Sequence, residues 1–197
     1  MEWLKKYKIV LASESPRRHE LLRQAGISFE IKAASIDEEA YPSWIQPRSV
    51  PEYLAKLKAQ TVYEMIPNQD DLIVIAADCL VFLGDQLFSK PRHRQEAFTM
   101  LYALAGQTHQ VISGLCIYST KSILTTSVST EVEFNPMTAD EIYYYIDHYP
   151  PYDKAGAYGI QDWIGLCVVK KLNGSYTNIM GLPMEALYTL LVANFKN

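Results

Sequence analysis

Hydrophobic positions along the chain switch between strand-like and helix-like spacing. Residues 9–12, Ile-Val-Leu-Ala, form an apolar run of strand length. Ser15-Pro16 behind it reads as a helix start, with a hydroxyl N-cap and a proline whose fixed φ suits the first helical position. That helix carries Leu21 and Leu22 and stops at Gly26. Residues 29–33 read as a second strand and 41–47 as a proline-bearing loop. Ser49-x-x-Glu52 is a capping box that predicts a long helix to about Ile66, with an apolar stripe of Val50, Leu54, Leu57, Thr61, Val62 and Met65. Residues 72–77 are unbroken and β-branched, the pattern of a central strand covered on both faces.

Residues 80–83 and 86–88 flank Gly84-Asp85 as a hairpin, and 94–104 are helical up to Gly106. Residues 111–119 and 123–134 are long β-prone runs paired around residues 120–122. Thr138-x-x-Glu141 is a second capping box, on a helix carrying Ile142, Tyr145, Ile146 and Tyr149 and ended by Pro150-Pro151. Residues 153–161 form a glycine-containing loop, 166–172 a strand, Asn173-Gly174 a turn, and 184–195 a final amphipathic helix. Hairpins and crossovers occur together, which predicts an α/β protein on a mixed sheet. The chain has no repeat, linker or low-complexity tract, and its length suits one domain over 1–197.

Charge narrows the partners. Eighteen Lys and Arg stand against 22 Asp and Glu, for a net charge of −4. That sign excludes sequence-independent binding of nucleic acid, but not a small anion held by a few local cations. Cys79, Cys116 and Cys167 are far apart, with no CxxC, as in a reducing compartment. The longest apolar stretch, residues 72–84, is cut by Asp78, so no membrane span is expected and a cytoplasmic protein is. His19, His93, His109 and His148 have no ligand spacing.

Several charges fall where burial or a helix dipole disfavours them. Arg17 and Arg18 lie in the first turn of their helix, beside free backbone N–H groups. Either they extend into solvent, or a bound phosphate reverses the sign of every term, with Ser13 and Ser15 adding hydroxyl donors. Lys58 lies on or beside the buried stripe, where it needs a partner unless its amine reaches water. Asp78 ends the apolar run 72–77, and the end of a central strand is where open α/β sheets place ligands. It could bind Mg²⁺ or activate water, or cap a local turn. Asp37-Glu38 also follows a strand end, as a second carboxylate source or an ordinary solvated pair. Lys90, beside Pro91, and Lys154 would add cations for a polyphosphate if these residues converge. Cys79 has no neighbouring base and reads as a packing thiol, and Tyr143-Tyr144-Tyr145 as helix packing.

At these residues the chain resembles the Maf family, the septum-formation-associated nucleotide pyrophosphatases, nearly end to end. The resemblance rests on Leu11-Ala12-Ser13-Glu14-Ser15-Pro16-Arg17-Arg18, Asp37-Glu38, Leu54-Ala55-x-x-Lys58-Ala59, Ala77-Asp78, Lys90-Pro91 and Gly106-Gln107-Thr108-His109-x-Val111. Asp153-Lys154-Ala155-Gly156-Ala157-Tyr158-Gly159-Ile160-Gln161, Gly174-Ser175-Tyr176 and Gly181-Leu182-Pro183 complete it in order. The resemblance implies a mixed, twisted β-sheet with flanking helices and two lobes around a cleft, like the inosine-triphosphate pyrophosphatases. It implies hydrolysis of a nucleoside triphosphate to monophosphate and pyrophosphate with a divalent cation, Mg²⁺ or Mn²⁺. By position, Asp78 is the general base, and Glu38 and Asp78 hold the metal. Ser13, Arg17, Arg18, Lys58, Cys79, Lys90 and Gln161 meet the substrate.

Arg18, the position after Asp78, and Gln161 resemble the dTTP/UTP subgroup rather than the 7-methyl-GTP subgroup. Two departures are Cys79, where that subgroup usually has threonine, and Asp162-Trp163 in place of a small glycine-rich continuation. The competing expectations are a 7-methyl-GTP pyrophosphatase and a non-catalytic nucleotide-binding regulator of cell division. A homodimer is carried by the resemblance alone.

Overall fold

The computed structural model describes residues 2–67 and 70–196. Its strands and helices follow in the order β1 (Lys8–Leu11), α1 (Pro16–Gln24), β2 (Glu30–Ile31), α2 (Val50–Glu64), β3 (Leu72–Leu83), β4 (Gln86–Phe88) and α3 (Arg94–Leu104). Then come β5 (Thr108–Ser119), β6 (Ile123–Phe134), α4 (Ala139–His148), α5 (Trp163–Cys167), β7 (Val169–Asn173), α6 (Tyr176–Ile179) and α7 (Met184–Phe195). The strands form one sheet in the order β2-β1-β3-β5-β6-β7, with β4 on β3. β1 runs parallel to β2 and β3, whereas β3–β4 and β6–β7 are antiparallel, so the sheet is mixed as the pattern predicts. No helix among the described residues is long and apolar enough to cross a membrane.

By contacts the chain divides into two compact units. The first is Met1–Asp78, Ser113–Val128 and Gly181–Asn197, and the second is Cys79–Ile112 and Ser129–Met180. In the first, Val10, Leu72, Val74 and Ala76 of β1 and β3 pack with Ala55, Ala59 and Val62 of α2. In the second, Leu101 and Leu104 of α3 and Ile142 and Tyr145 of α4 pack with Val132, Phe134 and Ile164.

Most elements form where the sequence places them. Thr138 and Glu141 make the reciprocal capping box, and Gly84 turns the β3–β4 hairpin with Leu83 opposite Gln86. Four expectations are corrected. Ser49 is not a capping-box residue: it sits in a 3-10 turn, and the Glu52 carboxylate instead accepts from Thr125 Oγ1 at 2.6 Å and Ser127 Oγ at 2.9 Å on β6. The buried face of α2 is Val50, Pro51, Leu54, Ala55, Lys58, Ala59, Val62 and Tyr63, while Met65 is exposed. Gly114 of β5 meets the helix start so closely that a β-carbon there would overlap the backbone of Pro51 and Glu52. The strand expected over 29–33 shortens to Glu30–Ile31, followed by the Lys32 N–H donating to Leu11 O. Residues 166 and 167 belong to α5, not to a strand. The Leu166 N–H donates to Asp162 O, and the helix buries Ile164 while leaving Leu166 82% exposed. Asn173-Gly174 leads into α6, a single helical turn capped by Ser175 Oγ, which accepts from the Asn178 N–H.

Candidate active site

Asp78 is the seventh residue of a strand of twelve, so it does not end the strand as expected. The parallel pairing with β1 stops at Leu11–Ile75, and antiparallel pairing with β4 starts at Val81. Asp78 lies between these two ladders, past the end of the parallel part. Ser13 follows β1 at the same end, after the Ala12 N–H donates to Ile75 O. Strand pairing therefore puts the first helix turn and Asp78 just beyond the same end of the parallel β1–β3 ladder in the first unit.

The face of α2 toward this end is small and apolar except for one residue. Lys58 is 7% exposed, flanked on its helix face by buried Leu54, Ala55 and Val62. Its Nζ donates to Asp78 Oδ1 at 2.6 Å and to Glu38 Oε1 at 2.7 Å. Asp78 is 5% exposed, so these are charge-assisted bonds in a site largely stripped of water, which is why each partner needs the other. The amine does not reach solvent, and Asp78 does not cap a turn. Glu38 is recruited as well, whereas Asp37 Oδ1 only accepts the Glu39 N–H at 2.9 Å.

A second group forms at the start of α1. Ser15 occupies the N-cap position in extended conformation, but its side chain caps nothing. The buried Ser13 takes over the polar role: its Oγ accepts from the Ser15 N–H at 3.2 Å and from Arg18 Nη1 at 3.0 Å. Arg18 Nε donates to Gly181 O at 2.7 Å. Arg18 is thus held at two points across the helix start, not extended into solvent. With two donors already on Ser13 Oγ, the hydroxyl proton is left to donate.

Sequence reasoning missed the Gly181 anchor, although Gly181-Leu182-Pro183 was a visible signature. Gly181 has φ +102, and a β-carbon there would stand 3.4 Å from Arg18 Nε. It also missed His19, whose Nε2 donates to Ser13 O at 2.8 Å and so pins the turn from outside. Among the described residues no group of three or more His, Cys, Asp and Glu is placed to hold a metal ion.

The remaining candidates lie in the second unit. Cys79 is a half-buried thiol, not in a disulfide, against that unit's apolar core. Lys90 is exposed just after β4. Lys154 is not held out as a free cation: its Nζ donates to Asp153 Oδ1 at 2.9 Å and Pro150 O at 3.2 Å and lies 3.8 Å from Asp162 Oδ2. Gln161 is exposed on a tight turn closed by the Asp162 N–H donating to Gly159 O at 3.1 Å. Burial pushes the Cys116 thiol up to about 12, so it stays protonated and inert. His109, 1% exposed, meets Tyr158 Oη through Nε2 at 2.8 Å, and burial lowers it to about 4.

The chain belongs to the Maf-like protein family, whose model matches residues 8–194. Among similar proteins, the dTTP/UTP pyrophosphatase of Parabacteroides distasonis is 46% identical over 95% of this chain and 96% of its own. The dTTP/UTP pyrophosphatase of Phocaeicola vulgatus is 46% identical over 97% of this chain and 98% of its own. The fold matches a HAM1 protein from Coxiella burnetii with a TM-score of 0.52 at 18% identity, over 95% of this chain and 99% of that one.

Proposed function

We propose that the protein is a nucleoside triphosphate pyrophosphatase that hydrolyses dTTP and UTP to the monophosphate and pyrophosphate. The observation that carries the reading is the Lys58 ammonium bonded to both Asp78 and Glu38, a buried carboxylate just past the parallel ladder and a partly exposed one. A protein that only bound nucleotide would gain nothing from a buried carboxylate facing a polyanion. Relatives with 40–46% identity named dTTP/UTP pyrophosphatase support the substrate class.

In this reading Asp78 orients a water and takes its proton. The water oxygen bonds to the α-phosphorus, the bond from that phosphorus to the oxygen bridging to the β-phosphorus breaks, and pyrophosphate leaves. Lys58 holds the Asp78 carboxylate in place through its 2.6 Å hydrogen bond. Ser13, Arg17 and Arg18 meet the negative charge of the phosphates, helped by the N-terminal end of α1. Lys90 adds a further cation, and Cys79 and Gln161 face the nucleoside, as the resemblance implies.

A divalent cation, Mg²⁺ or Mn²⁺, fits this donor set. Glu38 and Asp78 offer hard carboxylate oxygens, each with its other oxygen besides the one bonded to Lys58 Nζ, and two carboxylates with phosphate oxygens and waters are the ligand chemistry such an ion takes. Bound there, it would supply positive charge against the triphosphate. A cytoplasmic location is consistent with three free cysteines, and a homodimer remains a proposal that sedimentation checks.

The test is a panel of nucleoside triphosphates with Mg²⁺ or Mn²⁺, reading pyrophosphate and orthophosphate separately. Pyrophosphate from dTTP and UTP supports the reading. Release from 7-methyl-GTP alone would move the base specificity, and no release from any triphosphate would make the protein a regulator.

A further inference from the structure

The turn that carries Gln161 has a side-chain frame around it. Tyr145, fully buried on α4, accepts the Gly159 N–H on its hydroxyl at 3.0 Å and donates that hydroxyl to Asp162 Oδ2 at 3.1 Å. One phenol therefore bridges both ends of the four-residue turn, in addition to the main-chain bond between Asp162 and Gly159. The Lys154 ammonium, with its side chain only 12% exposed, lies 3.8 Å from the same Oδ2.

Gln161 is packed into this frame. At Gly159 a β-carbon would overlap Asp162 Oδ2 and stand 2.8 Å from Gln161 Nε2, so the tips of both side chains lie over one glycine. The orientation of an exposed glutamine is ordinarily free, because its side-chain rotamers cost little to exchange in water. Here its backbone is clamped at both ends and its amide lies beside the clamping carboxylate.

We propose that Asp162, acting through Tyr145, is a positioning residue that sets base selectivity by holding the Gln161 turn. The inference rests on Gln161 meeting the nucleobase in the reading above. A hydrogen-bonding amide discriminates between bases only as well as its direction is fixed, since a mobile one adapts to a wrong pattern of donors and acceptors. The Asp162 carboxylate thus contributes without touching substrate.

The test measures kcat and KM for dTTP, UTP and GTP by pyrophosphate release in the wild type, Q161A, Y145F, D162A and D162N. Melting temperatures confirm that each variant folds. Y145F removes one oxygen from a buried ring, and D162A truncates a side chain at a surface turn, so at least one of the two remains measurable. The expectation is a KM for dTTP raised about tenfold in Y145F and D162A, with kcat within about twofold, as for lost binding shared by ground and transition states. The dTTP-to-GTP ratio of kcat/KM falls by about the same factor. D162N keeps an oxygen for the Tyr145 hydroxyl and keeps the ratio. If Q161A lowers the ratio while Y145F and D162A leave it unchanged, the positioning role is overturned and the base-reading role stands. If Q161A leaves the ratio unchanged, base reading by Gln161 and this inference fall together. A D162N ratio as low as that of D162A also overturns the hydrogen-bonded frame.

Discussion

Lys58 Nζ lies 2.6 Å from Asp78 Oδ1, with both residues less than one-tenth exposed. A buried pair of this kind adds little net stability, but breaking it is costly, because the surviving charge is left in a poor solvent. Pairing of this kind is retained where the charges are used.

Asp78→Asn keeps the side chain's shape and an oxygen for Lys58. Turnover is expected to fall by about 10³-fold, the scale of a lost general base, while the chain still folds, at a lowered melting temperature, because Lys58 keeps its bond to Glu38. Pyrophosphate assays and thermal unfolding check both halves. Activity near the wild-type level would remove Asp78 from the chemistry.

Lys58→Met leaves the Asp78 carboxylate buried without its cation and is expected to destabilise the fold by about 3 kcal/mol. The double variant K58M/D78N removes both charges and is expected to recover part of that loss. The non-additivity read by urea unfolding is of order 1–3 kcal/mol, while activity stays absent. Strict additivity would mean that the two side chains do not interact in solution.

Arg18 is held through two different nitrogens, by Gly181 O and Ser13 Oγ. Lysine has no planar fork with which to reproduce that pair of bonds. Arg18→Lys is therefore expected to raise KM for the triphosphate about tenfold with a smaller change in kcat. Gly181→Ala should resemble it, since alanine is strained at φ +102 and its methyl faces Arg18 Nε. Steady-state kinetics of the two variants decide the point.

His109 gives a pH signature of folding. Burial lowers it to about 4 from an ordinary value of 6.5, and its Nδ1 has no hydrogen-bond partner among the described residues. Between these values the unfolded chain binds the extra proton and the fold does not, so stability rises with pH across that window. The contribution is full above 6.5, and the loss on acidification approaches about 3 kcal/mol once pH has fallen through 4. His109→Gln should flatten this limb relative to wild type in unfolding experiments between pH 7 and pH 4. Parallel acid limbs would contradict the assignment.

The site was legible where its residues violate local rules. Lys58 on an apolar helix face, Asp78 inside an apolar run and Arg17-Arg18 at a helix start all stand out because burial and dipole arguments need no partner's address. What the sequence does not carry is that address. Gly181 lies 163 residues from Arg18, and Thr125 lies 73 residues from Glu52. The Glu52 case shows the cost: a perfect local capping box was overridden by two hydroxyls on a distant strand. Leu166 shows another, since a short apolar run has no period to separate strand from helix, and the close approach of Gly165 to Ile160 O decided it. Asp162 was visible only as a departure from the family's pattern, and its partner Tyr145 was read as packing.

The role of Asp78 is decided by which phosphorus the water attacks. Hydrolysis of dTTP in oxygen-18 water, with mass analysis of both products, tests this most directly. Attack at the α-phosphorus places the label in thymidine monophosphate and leaves pyrophosphate unlabelled. Label in the pyrophosphate, or release of labelled orthophosphate, would contradict the chemistry assigned to Asp78.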